Sequence, residues 1–391
     1  MLSGYLAWFS LLFEPFSDYT SPIQPQARLR PENRPWQSII TGVYGHPPKI
    51  NIHDRQGDIS WSFERSDVKQ RLPPNIKRCL YHRANDATDV KWLNNGTSIA
   101  AIYSALAVVV NHTPDNPSID KQITFALCRD NEWLWNAHTI EPLPGNLLAV
   151  GTTGQRPWDG ILVYNASELV DEPQVLQNVT GVRAIHALIW DEQAQMLWTC
   201  GTDAAADGSD GIPAYGAIVG YPFDNSTGLL DKENARWYRL KDATTIQWEW
   251  GAGYPWWAGP HDLVPVPNQR KFLMSNDLGL HEFDLDKGEF IAHLENVTDR
   301  YMPGFEVTTP DRHGLDYDSD GEYREFPQSD LKGLSLAPDG SYVYIQSLWR
   351  KFRSFHVSLV VHGVRKKIRK GDEIYRSRWY EDMEGWPKPK Y

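Results

Sequence analysis

One pattern recurs along this chain and limits what it can become. A polar residue opens a short apolar strand, a tight turn follows, and a second apolar strand returns. Residues 135–150 carry it, with His138 at the mouth of the first strand and Pro144-Gly145 at the turn. Residues 185–199 repeat it around His186, residues 260–274 around His261, and residues 331–345 around Lys332. Residues 89–102 fit as well, with Asp89 in the histidine slot and a turn at Asn94-Asn95-Gly96. Asp89 to His138 is 49 residues and His138 to His186 is 48, two near-equal steps. A unit of this kind cannot bury both faces alone, and packing copies around an axis is the solution a β-propeller uses.

The expected fold is therefore all-β, a single propeller of six blades at about 65 residues each over 391 residues. Seven blades result if the lead-in and the tail complete another. The expected boundaries are a signal-peptide-like segment over 1–17, an extended Pro-rich lead-in over 18–37, the propeller over 38–372 and a C-terminal tail over 373–391. Helical periodicity is almost absent; alternation and short apolar runs dominate, with Gly, Pro, Asn and Asp between them. His186 to His261 is 75 residues, and the excess lies in residues 201–213 and in the Trp-rich run 248–257. A loop that long in a compact protein is a candidate pocket wall.

Net charge and composition exclude some partners. A charge of -11 with 23% charged residues does not make the basic face that nucleic acid requires. The one basic run, residues 365–370, reads as a solvated loop or strand end. Residues 1–13 are apolar but too short to span a bilayer as a helix, and no later segment is long and apolar enough. Six N-x-S/T sequons, at Asn95, Asn111, Asn165, Asn178, Asn225 and Asn296, favour the secretory pathway or an extracellular location. Cys79, Cys128 and Cys200 have no metal-ligand spacing; one disulfide plus one thiol and three thiols both remain open.

If the repeat is aligned correctly, Asp89, His138, His186, His261 and Lys332 ring one mouth of the central channel. Converging titratable groups perturb one another, which is how acid–base sites are built. The competing reading is structural, histidines that hydrogen-bond between blades. Three histidines could also hold a divalent metal, although no metal or other cofactor is assigned. Arg156 and Trp158, in the loop after the second strand of blade three, could clamp an oxyanion. Trp256, Trp257 and Trp349 could supply flat apolar walls, with core packing as the plain alternative. Residues 316–321 match the first half of a calcium loop, but Pro327 stands where its final glutamate belongs. The Gly-rich residues 151–158 lack the lysine and helix of a phosphate loop, and no nucleophile elbow or thiol–histidine signature is present. Glu141 and Asp262 neighbour the ring but do not form a glycosidase pair, since alternation turns Asp262 away from His261.

The blade openings His138-Thr-Ile-Glu, His186-Ala-Leu-Ile-Trp, Gly259-Pro-His-Asp-Leu and Leu331-Lys-Gly-Leu-Ser resemble those of a broad family of secreted propeller proteins. Uronate-lyase propellers also place histidines around a metal at the channel mouth, and their fourth ligand has no match here. The size, apolar N-terminus, sequons and Trp-rich loops are similar to the fungal hetero-Diels–Alderases of tropolone-sesquiterpenoid pathways. That resemblance implies a cofactor-independent pericyclase of secondary metabolism, joining a tropolone o-quinone methide to a humulene-type olefin in an aromatic pocket. It assigns no residue. Three functions thus stand as expectations: the pericyclase acting on hydrophobic small molecules, a polysaccharide lyase acting on uronic-acid glycans, and a non-catalytic glycan-binding propeller. Oligomeric state is not readable.

Overall fold

A computed structural model describes residues 38–45, 47–128, 137–154, 156–205, 209–244, 246–247, 256–257, 259–276, 279–292, 294–306, 315–317, 323–325, 331–347, 353–381, 383 and 385–387. Six antiparallel sheets form a six-bladed β-propeller. The innermost strands are Ala87–Leu93 in blade two, Ala137–Leu143 in blade three, Arg183–Asp191 in blade four, Pro260–Pro265 in blade five and Leu331–Leu336 in blade six. Blade one is made from both ends of the propeller. Ile374–Trp379 is its innermost strand, paired with Ile39–Val43, which is followed outward by Lys49–His53 and Ile59–Phe63. The segment expected as a tail from 373 therefore holds a strand, and the propeller extends past 372. This closure also settles the count at six.

The inner strands are buried along almost their whole length because each blade is covered on both faces by its neighbours. The apolar residues sort into clusters that each cross one blade boundary. Ile40 and Phe63 meet Val90 and Val108; Leu93 and Phe125 meet Ile140 and Tyr164; Val163 and Ile185 meet Leu188 and Val219. Trp198 meets Phe272, Leu273 meets Tyr342, and Ile374 meets Val357 to close the circle. Each fully buried side chain of this size contributes about 1.5–3 kcal/mol. Packing between blades is tight enough that a Cβ on Gly151 would lie 2.6 Å from Ile185 Cγ2.

Two helices depart from the all-strand expectation. The first, α1 (Pro74–His82), starts on a proline and buries Ile76, Cys79 and Leu80. Asp171 of blade three accepts from the Asn75 amide at 2.7 Å and so caps it. A disulfide joins Cys79 on this helix to Cys128 at the end of blade two, and Cys200 is a buried thiol. The second, α2 (Leu294–Tyr301), lies against blade five, where Arg300 pairs with the buried Glu282 at 2.7 Å. No helix among the described residues is long and apolar enough to cross a membrane.

Candidate active site at the channel mouth

Each inner strand begins with a β-bulge. The ladder skips His138 between Ala137 and Thr139, His261 between Pro260 and Asp262, and Lys332 between Leu331 and Gly333. In blade four the ladder breaks between Arg183 and Ala187, with Ala184 at φ 50° just ahead of His186. An unpaired bulge residue can aim its side chain off the sheet and into the channel. Four sequence-expected residues are brought together this way. The His138 and His186 rings stack at 4.8 Å and 14°, and His261 meets His186 edge-on at 4.9 Å. Lys332 Nζ donates to His261 Nε2 at 2.8 Å. All four are less than a tenth exposed.

The fifth expected member needs a one-residue correction. In blade two the skipped position is Thr88, whose hydroxyl donates to the Ala137 carbonyl at 2.9 Å. Asp89 lies one step deeper. Its carboxylate accepts from Arg378 at 3.0 Å and from the Ile140 amide of blade three at 3.3 Å. Burial alone would raise its pKa, but Arg378, Lys91 and Arg376 outweigh that and hold it well below the usual carboxylate range. Asp262 has the matching place in blade five, accepting from Arg378 at 3.3 Å and from the Leu334 amide at 3.1 Å. Thr139 and Glu141 accept from the Leu188 and Trp190 amides in the same manner. This deeper layer stitches blades together, which is the structural role weighed for the histidines. At the mouth, Lys332 donates to His261 and His186 Nδ1 meets the Ala184 carbonyl of its own strand.

Two residues that sequence reasoning missed complete the site. Tyr375 occupies the bulge position of blade one and stacks on His138 at 5.2 Å and 16°. Arg376, fully buried, lies beneath the ring. Its Nη1 donates to the His138 carbonyl at 3.0 Å, and its Nη2 donates to the His186 and His261 carbonyls at 2.6 and 2.5 Å. The signal available was spacing: Lys332 to Tyr375 is 43 residues, close to the 49- and 48-residue steps that open the repeat.

Burial keeps the His138 and His186 imidazoles neutral. Desolvation first, then the Arg376 charge, pushes His138 well below its usual 6.5; desolvation and then His138 and His261 do the same to His186. His186 Nδ1 lies 2.9 Å from the Ala184 carbonyl, so the proton sits on Nδ1 and Nε2 carries the lone pair. His138 Nδ1 is buried with no hydrogen-bond partner among the described residues. A metal does not fit this arrangement. Two rings are stacked face to face, His261 Nε2 is taken by a lysine, and no group of three His, Cys, Asp or Glu among the described residues could hold an ion.

Arg156 and Trp158 lie on a neighbouring loop. The loop carrying Arg156 and Trp158 leaves the sheet at the His138 end, because Thr152 pairs with Ala137. There Arg156 pairs with Asp159 at 3.4 Å and lies over the Trp158 ring at 5.3 Å, and Trp158 is 45% exposed. Trp256 and Trp257 pair with Gln247 and Ile246 in a two-stranded ribbon just ahead of Pro260. Trp349 lies outside the described residues, as do residues 1–37 and most of the half calcium loop. Among the sequons, Asn95, Asn165 and Asn225 are exposed. Asn111 and Asn178 are half-buried and donate through Nδ2, the atom a glycan would occupy, to the Ile119 and Trp158 carbonyls. Asn296 falls on α2.

The sequence matches no known family model and no curated protein.

Proposed function

We propose that the channel mouth is a cofactor-independent catalytic cup for an oxygenated, unsaturated ring, and that the reaction is a hetero-Diels–Alder addition of a tropolone o-quinone methide to a humulene-type olefin. The observation that carries this reading is the buried stack Tyr375–His138–His186, which ends in the His261–Lys332 pair. Flat, neutral π faces suit a planar conjugated ligand. The Lys332 ammonium supplies a proton donor beside them.

A hydroxymethyl tropolone would lose water in this cup. The proton of Lys332 goes to the departing hydroxyl, the C–O bond breaks, and the ring hydroxyl gives its proton back to the site. The net loss is one water. The cycloaddition then forms one C–C and one C–O bond with no proton transfer, so holding the two partners in register supplies the acceleration. The test is turnover of a hydroxymethyl tropolone and humulene by chelator-treated protein. An adduct above the uncatalysed rate supports the reading, and no adduct removes it.

Lys332 also favours a second reading, a lyase acting on uronic-acid glycans, since a cation at the mouth suits a carboxylate. Unsaturated uronate products in place of the adduct would select it, and glycan binding without turnover would select the non-catalytic propeller. We also propose passage through the secretory pathway. The Cys79–Cys128 disulfide and the exposed Asn95, Asn165 and Asn225 support it. A mass shift on enzymatic deglycosylation of the protein secreted by its native host tests it.

A further inference from the structure

The guanidinium of Arg376 touches the backbone of all three ring histidines. Those carbonyls belong to blades three, four and five, whereas Arg376 arrives from blade one, across the axis. Its stem passes Gly333 of blade six, where a Cβ would lie 3.4 Å from Arg376 Cγ. Its head lies 5.7 Å from the centre of the Tyr375 ring and 3.5 Å from Asp89 of blade two. Every blade thus meets this side chain or its neighbour in the strand.

We infer that Arg376 is the positioning residue of the mouth: it sets three bulged strands at one height, so that their imidazoles stack, and it closes the channel beneath them. A planar fork with donors on two nitrogens holds three carbonyls in one fixed geometry, which the compact, freely rotating ammonium of a lysine does not impose. A carbonyl left buried without this donor would cost its strand a hydrogen bond, and the bulge would relax. The cup is then a closed-bottomed site, entered from the histidine side. None of this depends on which small molecule the cup takes.

The experiment compares native protein with Arg376→Met and Arg376→Ala by imidazole NMR, with circular dichroism as the check on folding. In native protein, the stacked His138 and His186 rings should give ring-current-shifted signals that do not titrate near pH 6.5. In folded Arg376→Met those signals should lose the shift and titrate at higher pH. Methylguanidinium added to Arg376→Ala should restore the native signals. A merely structural arginine would change melting but leave these signals alone, so folded Arg376→Met with native imidazole signals overturns the inference. Should neither variant fold, native protein with labelled arginine side chains and histidine carbonyls decides it. Couplings across hydrogen bonds from one arginine to three histidine carbonyls uphold the proposal, and their absence overturns it.

Discussion

Lys332 donates from Nζ to Nε2 of His261 at 2.8 Å, across the boundary between blades five and six, with both side chains buried. A lysine is rarely buried this deeply without a task or a partner. Here the partner is an imidazole nitrogen and no carboxylate, so the contact holds the ammonium in place without cancelling its charge. Replacing Lys332 with Met keeps the volume and removes the proton. We expect kcat for the dehydration–cycloaddition to fall about 10²–10⁴-fold, the usual worth of a general acid, with KM little changed. Steady-state kinetics on the folded variant check this.

The ring histidines make stability depend on pH in a defined sense. His138 and His186 sit well below 6.5 in the folded chain, mainly through burial, and near 6.5 in the unfolded chain. Below 6.5 the unfolded state therefore binds more protons. Their contribution is fully present above pH 6.5 and is lost as pH falls below it, towards the folded values. His53 is depressed too, and His356 is lowered to about 4, so both add to the same slope. The double variant His138→Gln/His186→Gln should melt with a shallower decline between pH 6.5 and 5 than native protein. Thermal melts across that range measure the difference.

How much of this was legible in the chain follows from where each signal lay. The slots of His138, His186, His261 and Lys332 could be read because each precedes an alternating apolar strand whose ladder partner lies within about twenty residues. Asp89 was placed one step off because Thr88, the true counterpart, is small and uncharged. Arg376 was missed for two reasons. Its strand, Ile374-Tyr-Arg-Ser-Arg-Trp379, looks like a polar tail, and its ladder partner is at the other end of the chain, where Thr41 and Ser377 bond across 336 residues. Local pattern carries no information about such a pairing. Arg156 was expected from loop position alone; its loop does leave blade three at the His138 end, where the side chain pairs with Asp159 and lies over Trp158.

The same long-range pairing makes a truncation informative. Ending the chain at Glu373 removes the inner strand of blade one and leaves Ile39–Val43 with one ladder neighbour in place of two. Blades six and two then lose their shared neighbour, and the Ile374 and Trp379 packing against Val343 and Val357 goes with it. We expect no cooperative melt and no near-ultraviolet signal from packed aromatics. A truncated protein with native dichroism would refute this account of closure.

The disulfide is the covalent tie between α1 and blade two. It closes a span of 49 residues, and removing a native bridge costs about 2–5 kcal/mol. The double variant Cys79→Ala/Cys128→Ala should unfold at lower denaturant by that margin, with an unchanged slope, in equilibrium urea titrations. Cys200 is buried in another cluster and should remain unreactive to thiol reagents in the native state.

The central claim is that stacked imidazoles at one channel mouth hold a flat conjugated ligand. The most direct measurement is a titration of native, chelator-treated protein with an unreactive tropolone while the imidazole resonances of His138 and His186 are followed. The account predicts saturable shifts in both rings, with the exposed His82 unmoved. Saturable tropolone binding that leaves both ring signals in place, or no binding at all, would contradict it.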